Sequence, residues 1–189
     1  NYGRLDIDNN KYTGEVFILK KGNYKRNTLK RKLKEGAIGT IANGPNNSNM
    51  CDLIGQFGFD AAFVDFEHGG VSWSELSDIS RACELWDMAS VVRVNTLEPS
   101  LILRTLDLGA SSIMIPHIIT VEDAEIAAKS CRYPPLGIRG VAGSRRAYGV
   151  DNYFDVANQE VQCIALIEDH EAVMNLPKLV EVSGIDVFY

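Results

Sequence analysis

From residue 36 onward the sequence alternates short, β-rich apolar runs with longer segments of helical period, the pattern of repeated βα units that build a parallel sheet. Six strands follow from it, at residues 38–42, 61–66, 90–94, 112–116, 162–167 and 185–189. Between them Leu76, Ile79, Cys83 and Trp86 recur at helical spacing, as do Ala124, Ala127, Ala128 and Cys131, so each segment can lay one face on a sheet. Ser72 three residues before Glu75, and Thr120 three before Asp123, predict capping boxes at two helix starts.

Repeated βα units suit either a closed barrel or an open doubly wound sheet. The glycine fingerprint of a dinucleotide fold is missing after the first strand, which favours a (β/α)8 TIM barrel. A full barrel takes about 250 residues, so a 189-residue sequence is expected to hold only strands 1 to 6. The stretch 133–159, with Pro134, Pro135 and a run of glycines and serines around Arg139, breaks the alternation and predicts a long functional loop.

Charge is unevenly spread. Residues 1–35 hold ten Lys/Arg against four Asp/Glu, leaving nine against twenty-one in the rest of a chain of net charge -6. The basic head (Lys20, Lys21, Lys25, Arg26, Lys30, Arg31, Lys32, Lys34) reads as a solvated face, and the acidic body argues against a nucleic-acid partner. No apolar run reaches the roughly 20 residues needed to cross a bilayer and no secretion signal opens the sequence, so no membrane partner and a cytoplasmic location are expected. Cys51, Cys83, Cys131 and Cys163 form no C-x-x-C pair and read as reduced, buried thiols.

In parallel βα architectures the chemistry gathers at the C-terminal ends of strands. There the sequence places Asp65, Glu67 and His68, then Arg93, then His117, then Glu168 and Asp169. His68 can act as a general base oriented by Asp65, or be a loop histidine near chance acids. Arg93 would be costly to bury without an anion, which can be a substrate carboxylate or a neighbouring Asp or Glu. Glu168 is a natural oxygen ligand for Mg²⁺ or Mn²⁺, whereas strand alternation would turn Asp169 to the opposite face.

Several stretches together resemble one family. Phe63-Val64-Asp65-Phe66-Glu67-His68-Gly69, Val91-Val92-Arg93-Val94, Leu106-Asp107-Leu108-Gly109-Ala110, Ile113-Met114-Ile115-Pro116-His117, Tyr133-Pro134-Pro135-Leu136-Gly137-Ile138-Arg139-Gly140 and Ile167-Glu168 with Asn175-Leu176-Pro177 occur in the order seen in HpcH/HpaI aldolases. The resemblance covers residues 28–189, read as one partial barrel domain, and leaves 1–27 as an unassigned N-terminal extension.

The resemblance implies a class II aldolase that cleaves a 2-keto-3-deoxy or 4-hydroxy-2-keto acid to pyruvate and an aldehyde. It implies a divalent cofactor (Mg²⁺ or Mn²⁺, with Co²⁺ or Zn²⁺ as options) and a homo-oligomer. On the matching positions Glu168 would be a metal ligand, Arg93 would meet the pyruvate oxygens, His68 with Asp65 would move the proton of the aldol hydroxyl, and Arg139, Arg145 and Arg146 would meet an acidic acceptor. A second metal carboxylate would come from a Gly-Pro-x-Asp motif beyond Tyr189, and Leu166 stands where many relatives carry Gln. The alternatives are a citrate-lyase-like enzyme acting on acyl-CoA thioesters such as malyl-CoA, and an inactive remnant serving as a binding or assembly module.

Overall fold

A computed structural model describes residues 4–6, 11–13 and 24–189. Two short strands, β1 (Arg4–Asp6) and β2 (Lys11–Thr13), pair antiparallel; most of the stretch 1–27, with its expectation of an extension and the basic Lys20 and Lys21, lies outside the described residues. The rest runs α1 (Thr28–Lys34), β3 (Ile41–Asn43), α2 (Ser48–Gly55), β4 (Ala61–Asp65), α3 (Trp73–Leu85), β5 (Ala89–Arg93), α4 (Pro99–Asp107), β6 (Ser112–Ile115), α5 (Val121–Ser130), α6 (Tyr153–Glu160), β7 (Gln162–Ala165), α7 (His170–Leu179) and β8 (Val187–Phe188).

The six strands β3 to β8 pair in parallel and in sequence order, curling into half a barrel. Both faces of the sheet are buried, which explains the nearly unbroken apolar runs. Because side chains alternate along a strand, Ala61, Ala89, Val91, Met114 and Ile164 line the inner face, with Phe63 and Val187 against them. Their neighbours Ala62, Val64, Val92, Ile113, Ile115, Cys163 and Ala165 face outward beneath Leu76, Ile79, Cys83, Ile102, Leu106, Ala124, Ala127 and Leu179 of the helices. Both predicted capping boxes form: Ser72 with Glu75 opens α3 and Thr120 with Asp123 opens α5.

Within the basic head, the segment from Asn27 to Lys32 is built into the structure. Asn27 caps α1 and its amide donates to the Ser111 carbonyl and Ser112 Oγ, while Leu29 enters the inner-face cluster from the N-terminal end of the sheet. Gly39 lies against the end of the Leu29 side chain, which would have to shift to admit a Cβ. Lys30 is buried and pairs with Asp186 at 2.9 Å, Arg31 with Glu160 at 3.1 Å and Lys32 with Asp60 at 2.7 Å.

Four expectations change. The first strand is Ile41–Asn43, with Ile38 83% exposed, and the fifth stops at Ala165, two residues early. The sixth is reduced to Val187–Phe188. The expected loop 133–159 contains a 3₁₀ turn (Arg145–Ala147) and the whole of α6, whose Tyr153 and Ala157 pack with Tyr133 in a small cluster of their own. All four cysteines are free and buried. Among the described residues no helix is long and apolar enough to cross a membrane.

Candidate active site

Asp65 and Arg93 are register partners at the last rung of β4 and β5, so their side chains leave the same edge of the sheet. Arg93 Nε and Nη2 donate to the two Asp65 oxygens at 2.9 and 2.8 Å, a bidentate pair. Past Asp65 the chain turns sharply, and Gly69 is needed because a Cβ would strike the Asp65 carbonyl oxygen. The turn brings Glu67 back over the guanidinium, with Oε2 2.8 Å from Arg93 Nη1. That contact is close but poorly aligned: the buried Glu67 Oε2 has no true hydrogen-bond partner.

The structure does not bring the Asp65 carboxylate and the His68 imidazole together. The Asp65 carboxylate is taken up by Arg93 and by the backbone N–H groups of Glu67 and His68, not by the imidazole. The His68 ring is 74% exposed, and its nearest carboxylate is Glu67, with Oε2 3.8 Å from Nε2. The Arg93 hydrogen bonds hold the Asp65 carboxyl below the usual carboxylate range, and Asp65 in turn raises the guanidinium.

The rim continues at β6 and β7. His117 follows β6 with φ +53°, a left-handed conformation unusual for a non-glycine residue. Its backbone N–H donates to Glu168 Oε1 at 3.2 Å, and its Nδ1 lies 2.9 Å from Asp169 Oδ2. Its Nε2 faces Glu67 Oε1 at 4.0 Å. The Asp169 hydrogen bond, with Glu168 and Glu67 nearby, raises the imidazole pKa. Glu168 and Asp169 therefore serve the same site, contrary to the alternation argument, because β7 has ended at Ala165 and both residues lie in the following loop. Leu166 is buried in the inner-face cluster beneath this rim.

Arg139, Arg145 and Arg146 lie at the other end of the sheet. Arg139 is buried over the Tyr133 ring and pairs with Asp107 at 2.6 Å, at the end of α4. Arg145 and Arg146 pair with Glu84 near the end of α3 at 2.7 and 3.2 Å, and Arg146 also donates to the Ala110 carbonyl before β6. The excursion from α5 to α6 runs beneath the N-terminal ends of the strands, so its arginines meet helix C-termini instead of the rim.

Sequence reasoning placed Glu67 and His117 at strand ends, Glu67 as an alternative carboxylate to Glu168, but chose neither for the site. The histidine's position at a strand end was the available signal. Four carboxylates (Asp65, Glu67, Glu168, Asp169) face one guanidinium and two imidazoles, an acidic excess suited to a cation. Among the described residues no group of three or more His, Cys, Asp or Glu is placed to hold a metal ion. A groove of about 550 Å³ lined by Lys129, Arg132, Lys178 and Glu181 lies between α5 and α7, away from the rim.

The chain is similar to a 2-dehydro-3,6-dideoxy-6-sulfogluconate aldolase of Pseudomonas putida, at 35% identity over 76% of this chain and 57% of that protein. It is 38% identical to a 5-keto-4-deoxy-D-glucarate aldolase of Escherichia coli strain K12 over 75% of this chain and 56% of that one. It thus spans little more than half the length of these relatives. The crystal structure of an HpcH/HpaI aldolase from Desulfitobacterium hafniense DCB-2 superposes with a TM-score of 0.77 at 29% identity, over 85% of this chain and 65% of that one. The model of the HpcH/HpaI aldolase/citrate lyase family matches residues 43–189, which include strands β4 to β8, the last residue of β3 and the whole charged rim, and the chain belongs to that family.

Proposed function

We propose that the complete protein is a divalent-metal-dependent aldolase that cleaves a 2-keto-3-deoxy or 4-hydroxy-2-keto acid to pyruvate and an aldehyde. The observation that carries this reading is the convergence of Glu168, Arg93, Asp65, Glu67 and His117 on one rim, in a chain whose relatives are named as aldolases. The residues present fit part of a divalent-cation site, with Glu168 as one oxygen ligand. Carboxylates outnumber cations at the rim, and Glu168 is one-third exposed, its Oε1 accepting the His117 backbone N–H with the imidazole Nδ1 3.6 Å away. Glu168 would hold the ion, Mg²⁺ or Mn²⁺ being suited to oxygen donors, with a second carboxylate from sequence beyond Tyr189. When bound, the ion supplies Lewis-acid polarisation of the keto group.

The chain's own residues would divide the remaining work. Asp65 occupies the Nε/Nη2 edge of Arg93 and aims the guanidinium across the mouth. Nη1, held only in the misaligned contact with Glu67, is the donor free to turn to a carboxylate or developing oxyanion of the substrate. His68, exposed at the rim, would take the proton of the aldol hydroxyl, with Glu67 as the nearest anion to support its charge.

This reading extends the half-barrel to a closed eight-stranded barrel in the complete protein, with residues 28–189 as its first six βα units and 1–27 as an appended segment. It takes the enzyme to be a cytoplasmic homo-oligomer acting on small keto acids. The placement of Arg139 and Arg146 withdraws them from the proposed acceptor site in this chain. The test is pyruvate release from a 4-hydroxy-2-keto acid by the complete protein before and after exhaustive chelation. Restoration by Mg²⁺ or Mn²⁺ is expected, and release untouched by chelation would defeat the proposal.

A further inference from the structure

Glu168 and Asp169 join the last backbone hydrogen bonds of β7, from Leu166 N–H to the Ile115 carbonyl and Ile167 N–H to the Tyr189 carbonyl, to α7, where Asp169 is the N-cap and its carbonyl accepts from Val173 N–H, and both side chains are directed toward β6. A single residue accounts for this. The left-handed backbone of His117 turns its N–H onto Glu168 Oε1, and its ring, through Nδ1, engages Asp169 Oδ2 at 2.9 Å. The ring is 60% exposed and packs into no apolar cluster, so burial gives no reason for a histidine in a strained conformation here. Strain kept at an exposed position calls for a local partner, and the partners here are the two carboxylates of one loop.

We propose that His117 is a positioning residue that clamps the Glu168–Asp169 loop from two sides and so presets Glu168 for a divalent cation. The inference rests on the metal-dependent reading above. The backbone N–H sets one Glu168 oxygen, and the Nδ1–Asp169 hydrogen bond anchors the next residue, so the peptide between them cannot swing away. Partners of this kind, one step removed from a metal, typically change its affinity by about 10–100-fold.

Two substitutions separate the clamp from ordinary structural support. His117→Gly accepts the positive φ and keeps the N–H but removes the ring. His117→Asn also tolerates positive φ, and its Nδ2 occupies the place of the imidazole Nδ1, so it can still donate to Asp169. The measurement is Mn²⁺ binding to the metal-free complete protein by calorimetry or by the electron paramagnetic resonance signal of free Mn²⁺, alongside the melting temperature without metal. Mn²⁺ affinity is expected to fall about tenfold in His117→Gly and to return to within about threefold of wild type in His117→Asn, with the metal-free melting temperature of the glycine variant not lowered.

Binding of Mn²⁺ by His117→Gly as tightly as by wild type would overturn the clamp. So would an asparagine variant as weak as the glycine one, or a glycine variant whose weaker binding comes with a matching loss of metal-free stability. Failure of the wild-type protein itself to bind Mn²⁺ would remove the metal-dependent reading and the clamp with it, an outcome distinguishable because it precedes any substitution.

Discussion

The two ends of the sheet use the same residue types to opposite effect. At the N-terminal end every cation of α1 from Lys30 to Lys32 has a carboxylate within 3.1 Å, Arg132 shares Asp186 with Lys30, and Arg139, Arg145 and Arg146 are paired with Asp107 and Glu84. Most of those pairs are shielded from solvent, and Leu29 closes the inner face beside them. At the C-terminal end the carboxylates outnumber the cations, Glu67 Oε2 lacks a hydrogen bond, and both histidines stand largely in solvent. A charge matched and desolvated at one end serves stability; a charge left in excess at the other is available to a ligand.

The sharpest way to break this contrast is Glu168→Gln in the complete protein. Pyruvate release should fall by about three orders of magnitude in kcat/KM, on the order of 4 kcal/mol, with the melting temperature nearly unchanged. Steady-state kinetics beside a thermal melt check it; a large loss of stability would make the rim a structural element like the other end. The converse substitution is Lys30→Ala. It strips the partly buried Asp186 of one of its two cationic partners and leaves the Val161 carbonyl without its donor, so stability should fall by about 3 kcal/mol in urea titration while the surviving folded enzyme keeps its kcat.

Arg93→Lys tests the border between the two behaviours, because Arg93 is both ion-paired and proposed to meet substrate. Lysine keeps the charge and loses the fork, so kcat/KM should fall about a hundredfold while melting changes little. A melt that collapses with near-normal catalysis would move Arg93 to the structural side. Ser72→Ala removes the capping box of α3, just after the β4 turn, and should cost about 1 kcal/mol by chemical denaturation with no kinetic effect.

The smallest effect is the pH dependence carried by Asp65. Its folded pKa is depressed by Arg93, so its contribution to stability is present above the unfolded carboxylate value near 3.9 and is lost as pH falls through the lower folded value. Stability measured from about pH 6 down to pH 2 should show a component that is absent in Asp65→Asn. An identical pH profile in the variant would contradict the pairing.

Much of this molecule was legible beforehand. The short apolar runs between helical segments located six strands, and the sites of Asp65, Arg93 and Glu168 followed from strand ends. Errors clustered where local pattern is weak. Two-turn α6 buries Tyr153, Ala157 and Asn158 and carries no side-chain cap, too short a signal to stand out beside Pro134, Pro135 and the glycines before it. The first turn of α1 was obscured by its lysines, one of which, Lys30, is a buried residue held by Asp186 and the Val161 carbonyl.

What the sequence by itself determined is the class of fold and the edge at which chemistry gathers, because alternation and helical period report which faces must leave water. The pairing of those residues was decided only by tertiary structure. Asp65 meets Arg93 through strand register, Glu67 returns over Arg93 through the turn at Gly69, and His117 reaches two carboxylates through one positive φ and the early end of β7. The arginines of the α5–α6 excursion were drawn to the far end by Asp107 and Glu84, partners distant in sequence. Periodicity records burial one residue at a time, whereas ion pairs a few ångströms long depend on where separate segments come together.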